Sequence, residues 1–304
     1  MSSNGKIKFT WYPGCSSEGA AVHLDRSLQS IARKLDIEFE PIKDWSCCGA
    51  SVGHVKGGQL PNMALSGRNL ALSRQQGTAD VVTPCAACYL NTHAVNEKLK
   101  SDERKRSQVN EALATAGLSY QGDLKVRHIC EVLVNDVGMD AIKDRVTKPL
   151  TGLKIAGWAG CQTVRPFAGT LNGGQYDTYD QPKFMDDFAE ACGAEPVDYD
   201  KARTSCCGGS VSIYSPEKTL HLMRHILQTA VDAKADVIST PCPLCQQNVE
   251  MYQDAINKKF GDSFNIPVVF YSQVMAVAFG MDAKKDAALD CNMIKPDKLL
   301  EKAR

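Results

Sequence analysis

Ten cysteines of this 304-residue chain recur in one order, five in each half. The first set is Cys15, then Cys47-Cys48-Gly49, then Cys85-x-x-Cys88. The second is Cys161, then Cys206-Cys207-Gly208, then Cys242-x-x-Cys245. The intervals are 31 and 36 residues in the first set, and 44 and 34 in the second. A Cys-x-x-Cys turn lets two thiolates face one metal or cluster. Adjacent cysteines on extended backbone point to opposite sides, and the glycine after each pair permits a turn that brings both sulfurs inward. Pro84 and Pro241 restrict the residue before them and stiffen the approach to each Cys-x-x-Cys. Five thiolates exceed the four that a tetrahedral zinc or an ordinary cubane [4Fe–4S] cluster takes, so the fifth is spare, catalytic or bridging. Two structural zinc sites would leave a surplus thiol at the same place in both halves. Iron–sulfur chemistry is therefore the first reading, with zinc and thiol chemistry alone as the alternatives.

The elements that must position these sulfurs are also written twice. Lys8–Cys15 (KFTWYPGC) parallels Lys154–Cys161 (KIAGWAGC), Ser46–Ser51 (SCCGAS) parallels Ser205–Ser210 (SCCGGS), and Ala79–Cys88 (ADVVTPCAAC) parallels Ala235–Cys245 (ADVISTPCPLC). Strands are predicted at Ile7–Tyr12, Ile37–Pro41 and Val81–Thr83, and again at Leu153–Trp158, Glu195–Tyr199 and Val237–Thr240. Apolar residues at helical spacing predict helices at Val22–Leu35, Pro61–Gln75, Phe184–Cys192 and Pro216–Lys234. Strand and helix alternate twice over. That predicts an α/β fold of two duplicated Rossmann-like domains with mostly parallel sheets, the cysteines at the strand C-terminal ends near the domain interface. The first domain is placed at 1–149, with a surface helical excursion over Asn96–Gln121. The second is placed at 150–304, with Thr147–Gly152 as the junction. The tail after Gly280 reads as a partner-binding arm or a loosely packed end.

Composition narrows the function. Lys+Arg and Asp+Glu are both 35, so the chain is neutral, and nothing points to a nucleic acid or an anionic membrane as partner. The N-terminus lacks the apolar core of a signal peptide. The longest apolar stretch, around Val268–Phe279, is too short to span a bilayer. A cytoplasmic location is expected, and there thirteen cysteines point to metal or redox chemistry rather than disulfides. No GxGxxG follows a strand; Gly49, Gly53, Gly57, Gly58 and Gly173-Gly174 make no phosphate loop.

The doubled cysteine pattern resembles the CCG-domain family, and within it the B-type subunit of heterodisulfide reductase, including the bacterial sulfur-oxidising form. The resemblance covers nearly the whole chain. It includes Val126–Leu133 (VRHICEVL), the GCxxxRP at Gly160–Pro166 and IPVVFYSQV at Ile266–Val274. The 44-residue interval of the second half and Gln162, where many relatives are expected to carry histidine, depart from the family pattern. The resemblance implies two noncubane [4Fe–4S] clusters. Cys15, Cys47, Cys48, Cys85 and Cys88 would hold one, and Cys161, Cys206, Cys207, Cys242 and Cys245 the other. It implies an oxidoreductase that cleaves or forms a disulfide or carrier-bound sulfur bond between them. The chain has no ferredoxin-type CxxCxxCxxxC run, so electrons pass through partners. By resemblance these are a ferredoxin-like C-type subunit and a flavin-containing A-type subunit. The competing reading is a non-catalytic electron relay in a lactate, glycolate or succinate/fumarate oxidoreductase complex.

Other residues carry weaker signals. Cys130, Cys192 and Cys291 lie outside the repeat and read as small core residues. His128 could protonate a leaving thiolate, with a packed or capping role as its rival. His54 and His93 each follow a cysteine motif and could hydrogen-bond cluster sulfur or lie on the surface. Arg165 could meet an anionic substrate group or form a structural ion pair.

Overall fold

A computed structural model describes residues 6–50, 58–77, 80–164, 177–209 and 211–304. The first half runs β1 (Ile7–Trp11), α1 (Val22–Lys34), β2 (Ile37–Pro41), α2 (Gln59–Gln75), β3 (Asp80–Thr83), α3 (Ala86–Ser101), α4 (Glu103–Ala114) and β4 (Lys125–His128). A short α5 (Ile129–Val132), a π-helical turn at Leu133–Val137 and α6 (Met139–Asp144) lead into the second half. That half runs β5 (Lys154–Gly157), α7 (Phe184–Ala191), β6 (Glu195–Pro196), α8 (Val211–Tyr214), α9 (Pro216–Asp232) and β7 (Val237–Thr240). It continues with α10 (Pro243–Met251), α11 (Gln253–Phe260), β8 (Val268–Phe270), α12 (Tyr271–Ala278) and α13 (Asp297–Ala303).

The strands form two four-stranded sheets, β2-β1-β3-β4 and β6-β5-β7-β8, and every pairing is parallel. This is the duplicated Rossmann-like α/β architecture expected from the alternation. Central strands are buried because helices cover both faces: all four residues of β7 are buried. The edge strand β6 has two residues and ends at Pro196, which cannot donate to a further strand. Helix α1 buries Leu24, Leu28 and Ile31 on one stripe.

Two features depart from the sequence-based expectation. Each sheet has a fourth strand that the alternation does not predict. β4 hides polar residues: buried Arg127 is held by Glu131 at 3.0 Å, Asp136 at 2.7 Å and Asp80 at 3.3 Å, so no apolar alternation marks it. β8 has only three residues and runs straight into α12. The segment after Gly280 is also not a loose end. Leu289 and Leu299 are buried, Gln273 Nε2 donates to the Ala287 carbonyl at 2.9 Å, and Asn292 Nδ2 donates to the Val268 carbonyl at 3.0 Å. The excursion is helical as expected, and α4 turns its buried Val109 and Leu113 inward, where a Cβ on Gly67 of α2 would stand 2.9 Å from Val109.

The halves share one core. Residues of both, among them Leu24, Leu28, Ile129, Phe188, Val274 and Met275, belong to a single apolar cluster. Packing is reciprocal: α1 of the first half lies on α12 of the second, and α7 of the second lies on α6 of the first. At the α1–α12 contact the buried hydroxyls of Ser27 and Ser272 are 2.6 Å apart. The junction is strapped down, with the Thr147 and Lys148 amides both donating to the Ala278 carbonyl at 2.9 Å.

Candidate metal centre

The sulfurs are set by backbone first. β3 ends two residues before Cys85, and β7 two residues before Cys242. Each of these cysteines is the extended residue that caps a helix, α3 or α10, while Cys88 and Cys245 sit in the first turn of those helices. Thiolates there face free N–H groups and the positive end of the helix dipole. Gly14 and Gly160, each just before the first cysteine of its set, have φ of +74° and +73°. A Cβ would lie 2.9 Å from Cys88 Sγ at the first and 3.5 Å from Cys245 Sγ at the second. The glycines thus admit the loop against the sulfur.

Each Cys-Cys-Gly turn is held the same way. Gly49 and Gly208 have φ of +82° and +88°, and a Cβ there would collide with Asn62 or Thr219 respectively. The turns aim backbone N–H groups at sulfur. Gly49 N is 3.4 Å from Cys47 Sγ and Ala50 N is 3.5 Å from Cys48 Sγ. Gly208 N to Cys206 Sγ and Gly209 N to Cys207 Sγ are each 3.3 Å. An aromatic donor steadies the residue before each pair: Tyr12 Oη donates to the Ser46 carbonyl at 2.8 Å, and Trp158 Nε1 to the Ser205 carbonyl at 3.0 Å. An asparagine three residues past each Cys-x-x-Cys ties the two motifs together. Asn91 Nδ2 donates to the Cys48 carbonyl, and Asn248 Nδ2 to the Cys207 carbonyl at 3.4 Å.

All ten repeated cysteines line one cavity of about 280 Å³, with Ala86, Thr163, Val211 and Leu244 among its other walls. The sulfurs form a nearly continuous chain. Cys47 approaches Cys15 at 4.0 Å and Cys48 approaches Cys88 at 3.5 Å. Cys85 and Cys242 lie close enough across the boundary between the halves to shift each other's thiol, as do Cys245 with Cys207 and Cys161 with Cys206. Cys15 and Cys206 are exposed, while Cys48, Cys85, Cys88, Cys207, Cys242 and Cys245 are buried. Hydrogen bonds between neighbours split the thiols. Cys48 is lowered by donors from Cys47 and Cys88, Cys206 by Cys161, and Cys242 by Cys245 and Cys85, while Cys85, Cys88 and Cys245 are raised. Thiolates packed this closely repel one another unless cationic charge sits among them. Among the described residues no imidazole or carboxylate lines it, and an all-sulfur donor set suits soft metal chemistry. Among the same residues, no three such groups converge as the shell of a single ion.

The remaining candidates fall outside this chamber. His128 is buried behind it. Its Nδ1 accepts from the Cys130 amide at 3.2 Å, and burial pushes its pKa down to about 4, opposed by the nearby Cys242 thiolate. The ring is therefore neutral near pH 7. His93 is not at the surface: it is buried on α3 with Nδ1 3.3 Å from the Val126 carbonyl. Cys130 and Cys192 are buried in the shared core, and Cys291 is half-buried. His54 and Arg165, like Gly53, Gly57 and Gly173-Gly174, lie outside the described residues. Tyr12, Trp158, Asn91 and Asn248 are not marked by the cysteine motifs alone. Extending the repeat three residues to either side of the cysteines finds all four.

A doubled parallel α/β fold with a thiol-lined chamber at its sheet edges defines a cysteine-rich redox module. The chain belongs to the CCG family, whose cysteine-rich domain matches residues 9–92 and 155–250. It is 31% identical over 296 residues, 97% of this chain and 96% of the other, to the B-type subunit of the ferredoxin/F(420)H(2)-dependent CoB-CoM heterodisulfide reductase of Methanosarcina acetivorans. A protein of Archaeoglobus profundus that is itself like the B-type heterodisulfide reductase subunit is 30% identical over 93% of this chain and 94% of its own length. The 8-methylmenaquinol:fumarate reductase membrane anchor subunit of Wolinella succinogenes is 32% identical over 96% of this chain and 99% of its own. In this chain, no helix among the described residues is long and apolar enough to cross a membrane. The fold is seen in a crystal structure of a hypothetical protein from Helicobacter pylori, with a TM-score of 0.73 at 16% identity over 96% of this chain; the chain spans 53% of that one. The relatives thus include B-type subunits of heterodisulfide reductases and a subunit of a fumarate reductase, and the chain is a redox subunit of their family.

Proposed function

We propose that the chain is the iron–sulfur catalytic subunit of a heterodisulfide reductase-like complex. In this reading it cleaves or forms a disulfide or persulfide bond in the cavity, with cytoplasmic sulfur oxidation as one setting. The observation that carries this is the chamber itself: five cysteines from each half line one cavity and meet at Cys85 and Cys242. Cys15, Cys47, Cys48, Cys85 and Cys88 would hold one [4Fe–4S] cluster of noncubane type, and Cys161, Cys206, Cys207, Cys242 and Cys245 the other. Bound there, the clusters supply one-electron steps and iron sites for sulfur. The chain's own residues do the rest. The Cys-Cys-Gly turns and helix N-termini present N–H groups to the sulfurs, and Val211 and Leu244 add apolar surface to the cavity wall. A ferredoxin-like partner of the C type and a flavin-containing partner of the A type would exchange the electrons. We take 1–149 and 150–304 as its two domains.

Anaerobic protein is expected to contain about eight irons per chain, with matching acid-labile sulfide, and oxidation with a thiol should produce a new paramagnetic signal. Zinc in place of iron would sink the proposal. The fumarate reductase relative favours a second reading, in which the chain relays electrons without doing chemistry. Thiol release from a disulfide by the complex with an artificial donor supports catalysis; intact clusters with no thiol release support the relay.

A further inference from the structure

Asn62 and Thr219 hold matching positions, each against the glycine of its Cys-Cys-Gly turn. In the first half Asn62 and Asn91 form a reciprocal amide pair. Asn62 Nδ2 donates to Asn91 Oδ1 at 3.0 Å, and Asn91 Nδ2 donates to Asn62 Oδ1 at 3.2 Å. The Asn91 amide also reaches the Cys48 carbonyl and, at 3.2 Å, Ser66 Oγ. All these partners are oxygens. In the second half Thr219 has no amide to offer, and its hydroxyl donates to the Pro216 carbonyl of its own helix at 2.7 Å. Asn248 Nδ2 turns instead to the Gly209 carbonyl at 3.0 Å and to Cys207 Sγ at 3.7 Å, besides the Cys207 carbonyl. Among the described residues the backbone N–H···S contacts of the two Cys-Cys-Gly turns match, and the side-chain amide on Cys207 distinguishes them. A donor aimed at a ligand sulfur draws off electron density and favours the reduced state of the centre.

We propose that Asn248 makes the second half the higher-potential of two redox centres, while Asn62 keeps the first half lower by holding the Asn91 amide away from sulfur. This rests on the reading of both halves as iron–sulfur centres. Because the cysteines of both halves line one cavity, an electron entering either one comes to rest beside Cys207. The chamber thereby has a direction that its duplicated cysteines alone would not give it.

The test is a dithionite titration of the anaerobic full-length chain, followed by electron paramagnetic resonance. Two transitions at distinct potentials are expected. Asn248→Leu should shift the upper one downward and leave the lower one in place. Asn62→Thr should shift the lower one upward by freeing Asn91. Thr219→Asn gives Asn248 an amide partner and should lower the upper transition; it serves as the second variant if Asn248→Leu fails to assemble. A single shared transition, or upper transitions unmoved by both Asn248→Leu and Thr219→Asn, overturns the inference while leaving the iron–sulfur reading intact. Iron-free protein overturns both.

Discussion

The two halves place five sulfurs each on matching turns and helix caps and then support them differently. A tyrosine does in the first half what a tryptophan does in the second. An amide pair in the first half is replaced by a threonine and a single amide in the second. Among the described residues, the buried histidines, His23, His93 and His128, all lie in the first half, while His221 and His225 of the second are exposed. The cysteine geometry therefore tolerates exchange of its scaffold, provided the positive-φ glycines and the helix caps stay. What differs between the halves is polarity around the sulfurs and response to acid.

Removing a ligand gives the largest expected effect. Cys88→Ser or Cys245→Ser should each lower iron from about eight to about four per chain, read by iron and sulfide assay. If either change empties both halves, they are not independent sites and the comparison fails. Acid comes next. Burial lowers His23 to about 4. Its unfolded counterpart protonates near 6.5, so the unfolded chain binds the proton first as pH falls. The His23 contribution is therefore fully present above 6.5 and is lost, by about 3 kcal/mol, between 6.5 and 4. Urea midpoints measured across that range should show a slope of this sign, and His23→Phe, packing on Phe270, should make it shallower while buried His128 and His93 keep part of it.

The glycines separate the halves more finely. Gly208→Ala drives a Cβ into the short, branched Thr219, whereas Gly49→Ala meets the side-chain tip of Asn62, whose displacement strains its pair with Asn91. Both strain a positive φ, at a cost on the order of 1–3 kcal/mol, with the second half at the upper end. Melting of the two variants side by side checks the order; equal losses would mean that φ alone decides. The smallest effect is expected from Tyr12→Phe, which loses one hydrogen bond to Ser46 and about 1 kcal/mol. A loss several times larger in denaturant titration would mean that the hydroxyl supports more than that loop.

The cysteines and three strands of each half are legible in the sequence because their demands fall on residue type and short spacing: a thiol, a glycine, an apolar run. β4 is not, because Arg127 and His128 look polar until Glu131, Asp136 and Asp80 are seen to enclose the arginine. The tail escapes for a related reason. Its anchor is the side chain of Gln273, whose amide reaches fourteen residues ahead to Ala287, and no local pattern announces such a bond. Asn91 and Asn248 sit at the same offset in both repeats and are legible once the repeat is extended. Asn62 and Thr219 are not, since they match in place but not in type.

The Ser27–Ser272 contact joins residues 245 positions apart, and the apolar stripe of α1 is covered by α12, near the end of the chain. On the ribosome, α1 therefore waits while the 245 positions from Ser27 to Ser272 are synthesised before it finds its cover. Nascent chains arrested before Val268 should leave Leu24 and Leu28 open to protease, and those arrested after the tail has cleared the exit tunnel should not. Maturation of the first half is thus timed by translation of the second.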